Sequence, residues 1–441
     1  MPLKPGRRFI VEPGGVLEAS LRVPGDKSIS HRAVMLGAIA EGETRVEGFL
    51  EGDDAMATLA AMRAMGVVID GPEAGRLRIQ GVGLAGLQAP SAPLDLGNSG
   101  TSMRLLSGLL AGQRFATELI GDASLMRRPM RRVTEPLSRM GGAITTAAGG
   151  TAPLRIEPVP ALHGIDYGMP VASAQVKSAL LLAGLYARGQ TRVTEPAVSR
   201  DHTERMLAAL GVPVARDGPH VALSAPKRLT AGALTVPGDI SSAAFFLVGA
   251  SIARGAALTL EQVGLNPTRT GVIDILRGMG ASIEITPSRT EAGEPVGRID
   301  VEPAPLQGIE IPPALVPLAI DEFPALFVAA ACARGETVLR GAAELRVKES
   351  DRIAVMAEGL AALGIEVEPR SDGIRIIGGR LHGGHVHAHG DHRVAMAFAM
   401  AGLAADGPVV IDDCAEVDTS FPGFVELAGR CGLNIRAEVP A

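Results

Sequence analysis

The tetrapeptide Val-Pro-Gly-Asp occurs at 23–26 and again at 236–239, and each copy places a second glycine 17 residues after its own, at Gly42 and Gly255. Gly390 and Gly407 lie in HGDHRVAMAFAMAGLAADGPVVI with the same spacing. Three further segments follow this plan loosely: LDLGNSGTSMRLLSGLLAG, VASAQVKSALLLAGLYARGQTRV and AIDEFPALFVAAACARGETVL. Each reads as polar residues, an apolar helix, a glycine stop and a strand. A second series is interleaved with the first, of helices that end in a glycine before a β-branched strand, at Gly66, Gly141, Gly211, Gly280, Gly364 and Gly432. Their spacings are 75, 70, 69, 84 and 68 residues. Two series in one register predict six units of about 73 residues, each with two helices and several strands, in an α/β (α+β) chain.

Composition narrows the functions such a chain can have. Of 441 residues, 42 are Lys or Arg and 48 Asp or Glu, a net charge of −6, and there are ten phenylalanines, two tyrosines and no tryptophan. A general nucleic-acid binder needs a cationic field and stacking platforms, and both are missing. An apolar fraction of 46% argues against disorder. The longest apolar runs, from Ser241 and from Arg393, stop short of the roughly 18 residues that cross a bilayer. The basic start MPLKPGRRFIVEPGG is followed by no apolar stretch and so is not a secretory signal. Cys332, Cys414 and Cys431 are odd in number and lack C-x-x-C spacing, which fits a reduced, cytoplasmic compartment.

The polar residues at the start of each unit carry the chemistry. They fall on first helical turns, where unpaired N–H groups and the macrodipole attract anions. The first set is Lys27-Ser28 with Arg32 one turn on, and the second is Asn98-Ser99-Gly100-Thr101 with Arg104 one turn on. Arg127-Arg128-Pro129 is expected to begin the next helix. Then follow Ser173-Ala174-Gln175, Ser199-Arg200-Asp201, Asp321-Glu322, Lys348-Glu349-Ser350-Asp351-Arg352 and Asp391-His392-Arg393. Any one of these reads equally as a cap beside a solvated charge. Their recurrence at equivalent places favours recognition of more than one small anion, with Arg forks for carboxylate or phosphate and Lys as a point charge. Asp321 and Glu349 are the candidates for proton transfer, with either Asp321 or its neighbour Glu322 expected to be exposed. The fourth unit shows only Gly238-Asp239-Ile240-Ser241-Ser242, without a cation, and reads as structural.

Other signals fail when checked. Gly81-Val82-Gly83-Leu84-Ala85-Gly86 matches a dinucleotide fingerprint, but Pro90 and Pro93 follow where a helix is required. No phosphate-binding GxxxxGK[ST] loop, H-E-x-x-H or G-x-S-x-G occurs. His382, His385, His387, His389 and His392 crowd together, with 385, 387 and 389 on one strand face. Lacking a nearby thiol, they read as a metal-free polar strand edge leading into a helix, with zinc as the rival reading.

The wording of these segments is specific. PGDKSISHR, LGNSGTSMR, RRPM, SAQVKSALLLAGL, RVKESDR, GDHRVAMAF and SFPGF, running from Pro24 to Phe424, resemble the 5-enolpyruvylshikimate-3-phosphate (EPSP) synthase family. GDASLMRRPM and SRDHTERML look like its class II, glyphosate-tolerant branch. The resemblance implies the two-domain enolpyruvyl transferase fold: six βαβαββ units, three per domain, in inverse α/β barrel-like lobes. Residues 22–237 would form the first lobe, on the shikimate 3-phosphate side. Residues 1–21 with 238–441 would form the second, on the phosphoenolpyruvate side, with a closing cleft between them.

It also implies the reaction, a transfer of the enolpyruvyl group of phosphoenolpyruvate to the 5-hydroxyl of shikimate 3-phosphate through a tetrahedral intermediate, by a cytoplasmic monomer without a metal or organic cofactor. Carried over by motif, Lys27, Ser28, Arg32, Ser173, Ala174, Gln175, Arg200, Asp321 and Lys348 would hold shikimate 3-phosphate. Lys27, Asn98, Gly100, Thr101, Arg128, Gln175, Glu349, Arg352 and Arg393 would hold phosphoenolpyruvate, the site of the inhibitor glyphosate. Asp321 would accept the hydroxyl proton, while Glu349 and Lys27 are both candidates for protonating the methylene carbon and for assisting the elimination, either one taking either step.

Four departures stand out. Thr419-Ser420-Phe421-Pro422 lacks the lysine that precedes T-F-P in the better-known branch, Glu344 replaces an asparagine, and His202 replaces an aromatic hydroxyl. Gly100 stands where tolerance is associated with alanine, so the pocket has room for the inhibitor. The nearest rival, UDP-N-acetylglucosamine enolpyruvyl transferase, uses a cysteine in its first domain, but every cysteine here lies at 332 or beyond. A rival of another class is a non-catalytic scaffold, which would not keep Asp321 and Glu349 among the arginines.

Overall fold

The computed structural model describes residues 6–439 except Arg254 and Ala256. The chain ends assigned above to the second lobe, 1–5 and 440–441, lie outside the described residues. Two helices fall in each repeat. The first-position helices are α1 (Lys27–Ile39), α3 (Gly100–Ala111), α5 (Ala174–Gly184), α7 (Ile240–Ile252), α9 (Phe323–Cys332) and α11 (His392–Ala401). The second-position helices are α2 (Asp53–Ala64), α4 (Arg131–Arg139), α6 (His202–Ala209), α8 (Gly271–Gly278), α10 (Arg352–Ala362) and α12 (Phe424–Arg430). All six glycines that follow the second-position helices, from Gly66 to Gly432, take positive φ between 85° and 105°. Glycine closes these helices because that backbone region costs it nothing.

The sheets repeat as well. In the second unit Leu94–Asp95 pairs in parallel with Thr117–Ile120, which pairs antiparallel with Leu154–Glu157, itself antiparallel to Ala143–Thr145. The same sequence of one parallel and two antiparallel pairings recurs in the third unit. The parallel strand of the first unit is Ala233–Thr235, supplied from the end of the third. In the fourth it is Ala19–Leu21, paired with 258–264. In the sixth, Arg8–Val11 lies between Val409–Asp412 and Ile435–Glu438. The fold is thus six βαβαββ units, two of which borrow a strand from the first 21 residues.

The chain divides into two compact bodies: Gly25–Val236 with Thr290–Glu294, and the remainder. The sequence-derived limits of 22–237 differ from this at both edges, since 22–24 and 237 go with the second body. Segment 290–294 goes with the first because Arg205 donates to the Gly293 carbonyl at 2.7 Å and His202 Nδ1 lies 2.7 Å from Glu294 Oε1. The ten phenylalanines are unevenly shared: eight pack into the core of the second body, with Phe9 and Phe424 stacked 6.1 Å apart, while Phe49 is buried in the first, whose core is otherwise aliphatic and methionine-rich. First-position helices are buried almost all round, which is why their sequences read as continuous apolar runs.

Candidate active site

Five of the six first-position helices are capped by the polar residue that precedes them. Asp26, Ser99, Ser173, Asp239 and Asp391 each accept a hydrogen bond from a first-turn N–H. Capping fixes the backbone there and aims the neighbouring side chains.

In the first body two clusters form. At the start of α1, Lys27 Nζ lies 2.9 Å from Asp54 Oδ2 of α2. Arg32 donates to the Ser28 carbonyl (2.8 Å), Thr203 Oγ1 (2.7 Å) and Ser178 Oγ (2.7 Å). Burial, partly offset by Glu204 and Asp26, lowers the Arg32 pKa to about 10, so it remains a cation at neutral pH. Around α3, Arg128 donates to Asn98 Oδ1, Arg104 to Gln175 Oε1 at 2.8 Å, and Gln175 to Thr101 Oγ1 at 3.0 Å. Gly100 sits under both cations: a Cβ there would meet Arg104 Nη1 at 2.8 Å and Arg128 Nη1 at 3.1 Å. Ser173 and Ala174 begin α5 beside Gln175. Arg200 follows Ser199, whose hydroxyl donates to the buried Glu195, and Glu195 also takes Lys177 Nζ at 2.8 Å.

The second body carries the carboxylates. Arg352, 1% exposed, donates to Asp391 Oδ2 (2.9 Å), Glu349 Oε2 (2.7 Å) and Asp321 Oδ1 (3.4 Å). Burial alone would lower its pKa, but these three carboxylates outweigh that and raise it. The Asp391 pKa is held below the usual range because Arg352 overcomes the opposing effect of burial. Lys348 Nζ lies 3.3 Å from Asp321 Oδ1, and Arg393 Nη1 donates to the Asp321 carbonyl at 3.0 Å.

A family model described as EPSP synthase (3-phosphoshikimate 1-carboxyvinyltransferase) matches residues 11–427. The chain belongs to the EPSP synthase family. The 3-phosphoshikimate 1-carboxyvinyltransferase of Alkalilimnicola ehrlichii is 68% identical over 428 residues, covering 97% of this chain and 96% of that relative. Its counterpart in Xanthomonas campestris is 56% identical over 431 residues, covering 98% of each. Among solved structures, an EPSP synthase from Acinetobacter baumannii matches with a TM-score of 0.89 at 54% identity, covering 98% of this chain and 100% of that one.

Several details differ from the expectation for an EPSP synthase drawn from sequence. α4 begins at Arg131, not at Arg127; Arg128 is extended (φ −71°, ψ 139°) because Pro129 disfavours the helical region for its predecessor. Neither Asp321 nor Glu322 is exposed; they are 9% and 1% accessible. The fourth helix start does have a cation, since Arg269 reaches Ser241 Oγ at 2.5 Å and Asp239 Oδ1 at 3.3 Å. Arg104 and Asp54 join the clusters although the motifs did not assign them a role; Arg104 is a charge one turn inside α3, and Asp54 lies in the first turn of α2. His202 is buried against Glu294, and Thr419, Ser420 and Phe421, where the lysine is missing, are buried. His385 and His387 stack 5.7 Å apart on the strand Gly384–His387, with His385 Nε2 2.5 Å from Asp412. Among the described residues no group of three or more His, Cys, Asp or Glu is arranged to hold a metal ion, and no helix is long and apolar enough to cross a membrane.

Proposed function

We propose that these residues serve the family's reaction, transfer of the enolpyruvyl (1-carboxyvinyl) group of phosphoenolpyruvate to the 5-hydroxyl of shikimate 3-phosphate, with release of phosphate, in the synthesis of aromatic amino acids. Lys27, Ser28, Arg32, Ser173, Ala174, Gln175, Arg200 and Lys348 bind shikimate 3-phosphate. Asn98, Gly100, Thr101, Arg128, Gln175, Arg352 and Arg393, with Lys27 and Glu349, bind phosphoenolpyruvate. The observation that carries this reading is the gathering of cations at helix starts in a chain of net charge −6, with Asp321 and Glu349 ion-paired among them.

The chemistry follows from that arrangement. Asp321 takes the proton of the 5-hydroxyl as its oxygen bonds to C2 of phosphoenolpyruvate, and Glu349 with Lys27 delivers a proton to C3. The tetrahedral intermediate then loses phosphate and a C3 proton, restoring the double bond. Arginines fixed in advance by Asp391, Asn98 and the Asp321 carbonyl stabilise the charges without reorganising. The enzyme acts as a monomer, each body closing its own core, and in the cytoplasm, where three free thiols persist. Glyphosate, itself a carboxylate joined to a phosphonate, competes for the phosphoenolpyruvate set.

A phosphate-release assay tests the reading. Release is expected only when both shikimate 3-phosphate and phosphoenolpyruvate are present. Release with UDP-N-acetylglucosamine in place of shikimate 3-phosphate would favour the sister transferase, and no release with either acceptor would favour a scaffold.

A further inference from the structure

Glu322 occupies in α9 the position that Asp26, Ser99, Ser173, Asp239 and Asp391 occupy in the other first-position helices, yet it alone does not cap its helix. Its carboxylate, 1% exposed, turns to Ser241 at the start of α7, whose hydroxyl donates to Oε1. The same oxygen lies 3.5 Å from Arg269 Nη2 and 3.7 Å from Arg393 Nη1. Arg269 is 3% exposed and anchors on Ser241 Oγ at 2.5 Å. One buried carboxylate therefore stands between two buried guanidiniums. Leaving a cap unmade and placing a charge 1% exposed both cost stability, so the arrangement must be repaid by what the charge does for its neighbours.

We propose that Glu322 is a positioning residue for Arg393, holding one edge of that guanidinium so that the other edge meets the anionic groups of phosphoenolpyruvate. Arg393 Nη1 is fixed by the Asp321 carbonyl at 3.0 Å and by the Glu322 carboxylate, while among the described residues Nε and Nη2 meet no acceptor. Without the negative charge, Arg269 and Arg393 repel each other through a low-dielectric interior, and Arg393 swings from its aim. Arg269 in turn pairs with Glu322 and orients Ser241, so the fourth repeat acts on the reaction through this chain of contacts. The inference rests on the reading of Arg393 as a phosphoenolpyruvate ligand.

The test uses the full-length enzyme with steady-state phosphate release and a double-mutant cycle. Glu322→Gln keeps the shape and the Ser241 hydrogen bond but removes the charge. It is expected to raise the KM for phosphoenolpyruvate about tenfold, leave the KM for shikimate 3-phosphate within about twofold, and lose that effect in an Arg393→Lys background. An unchanged KM for phosphoenolpyruvate, an equal rise for both substrates, or the same effect in both backgrounds overturns the proposal. Should Glu322→Gln not fold, Ser241→Ala carries the test. It is expected to raise only the phosphoenolpyruvate KM, by about threefold, and no change overturns the proposal. If Arg393→Lys itself leaves that KM unaltered, the ligand reading of Arg393 fails; if Arg393→Lys raises it and Glu322→Gln does not, only the positioning role fails.

Discussion

Asp321 holds two ion pairs through one carboxylate oxygen while its carbonyl fixes Arg393. Asp321→Asn keeps the shape and removes the proton acceptor, and Arg393→Ala removes a fixed charge; each is expected to lower turnover by about a hundredfold or more. Near-wild-type phosphate release by either variant would take that residue out of the mechanism. At Gly100 the methyl group of alanine would crowd Arg104 and Arg128, both flexible at their ends. Gly100→Ala is therefore expected to raise the glyphosate concentration for half-inhibition together with the KM for phosphoenolpyruvate. Unaltered inhibition would show that the inhibitor does not rely on this space. Charges within a few residues of a glycine or a cap were legible in the sequence, since local spacing alone puts Lys27, Arg32 and Arg352 at helix starts. The meeting of Arg269 and Glu322 was not, because their shared partner Ser241 is 28 and 81 residues away along the chain.

Between elements, a buried chain of polar side chains ties three helices of the first body together. His31 Nδ1 on α1 lies 2.7 Å from Thr58 Oγ1 on α2, which is 2.6 Å from Ser102 Oγ on α3, which donates to the cap Ser99 at 2.6 Å. Burial above all, then Lys27 and Arg32, lowers the His31 pKa to about 3 from 6.5. The folded protein thus keeps His31 neutral where the unfolded chain protonates it. Between pH 6.5 and 3 the unfolded state binds more protons, so this stability is complete above 6.5 and drains away as the pH falls. The loss is about 1.4 kcal/mol per pH unit within that window. Denaturant midpoints are expected to drop between pH 7 and pH 5, and His31→Gln should flatten the slope; an identical slope would exonerate His31. Helix order and helix stops could be read from the glycine series because each stop is a local backbone requirement. The strand pairings could not, since Leu94–Asp95 and Ala233–Thr235 are too short to show a period.

For the whole molecule, repetition gave away the number of units but hid how two of them are completed. Phe9 pairs with Ile411 on one side and Ala437 on the other, so Arg8–Val11 is an inner strand of the sixth sheet. Phe9 also packs on Phe424 within the aromatic part of that core. Deletion of residues 1–12 is expected to remove the middle of that sheet and leave a chain that does not unfold cooperatively in its second body. A sharp, wild-type melting transition in the truncated chain would refute this. The first body has no such dependence, as Ala233–Thr235 closes its first sheet from within 25–236.

That borrowed strand also sets a schedule for folding. On a ribosome, residues 8–11 emerge long before 409–412 and 435–438, so this segment waits for both of its neighbours while the intervening chain is made. The first body can close in that interval, whereas the second becomes complete only once 435–438 are released. Contacts of this sequence separation are formed slowly. A strand that waits this long for both neighbours leaves apolar Phe9, Ile10 and Val11 open to wrong partners until the second body closes.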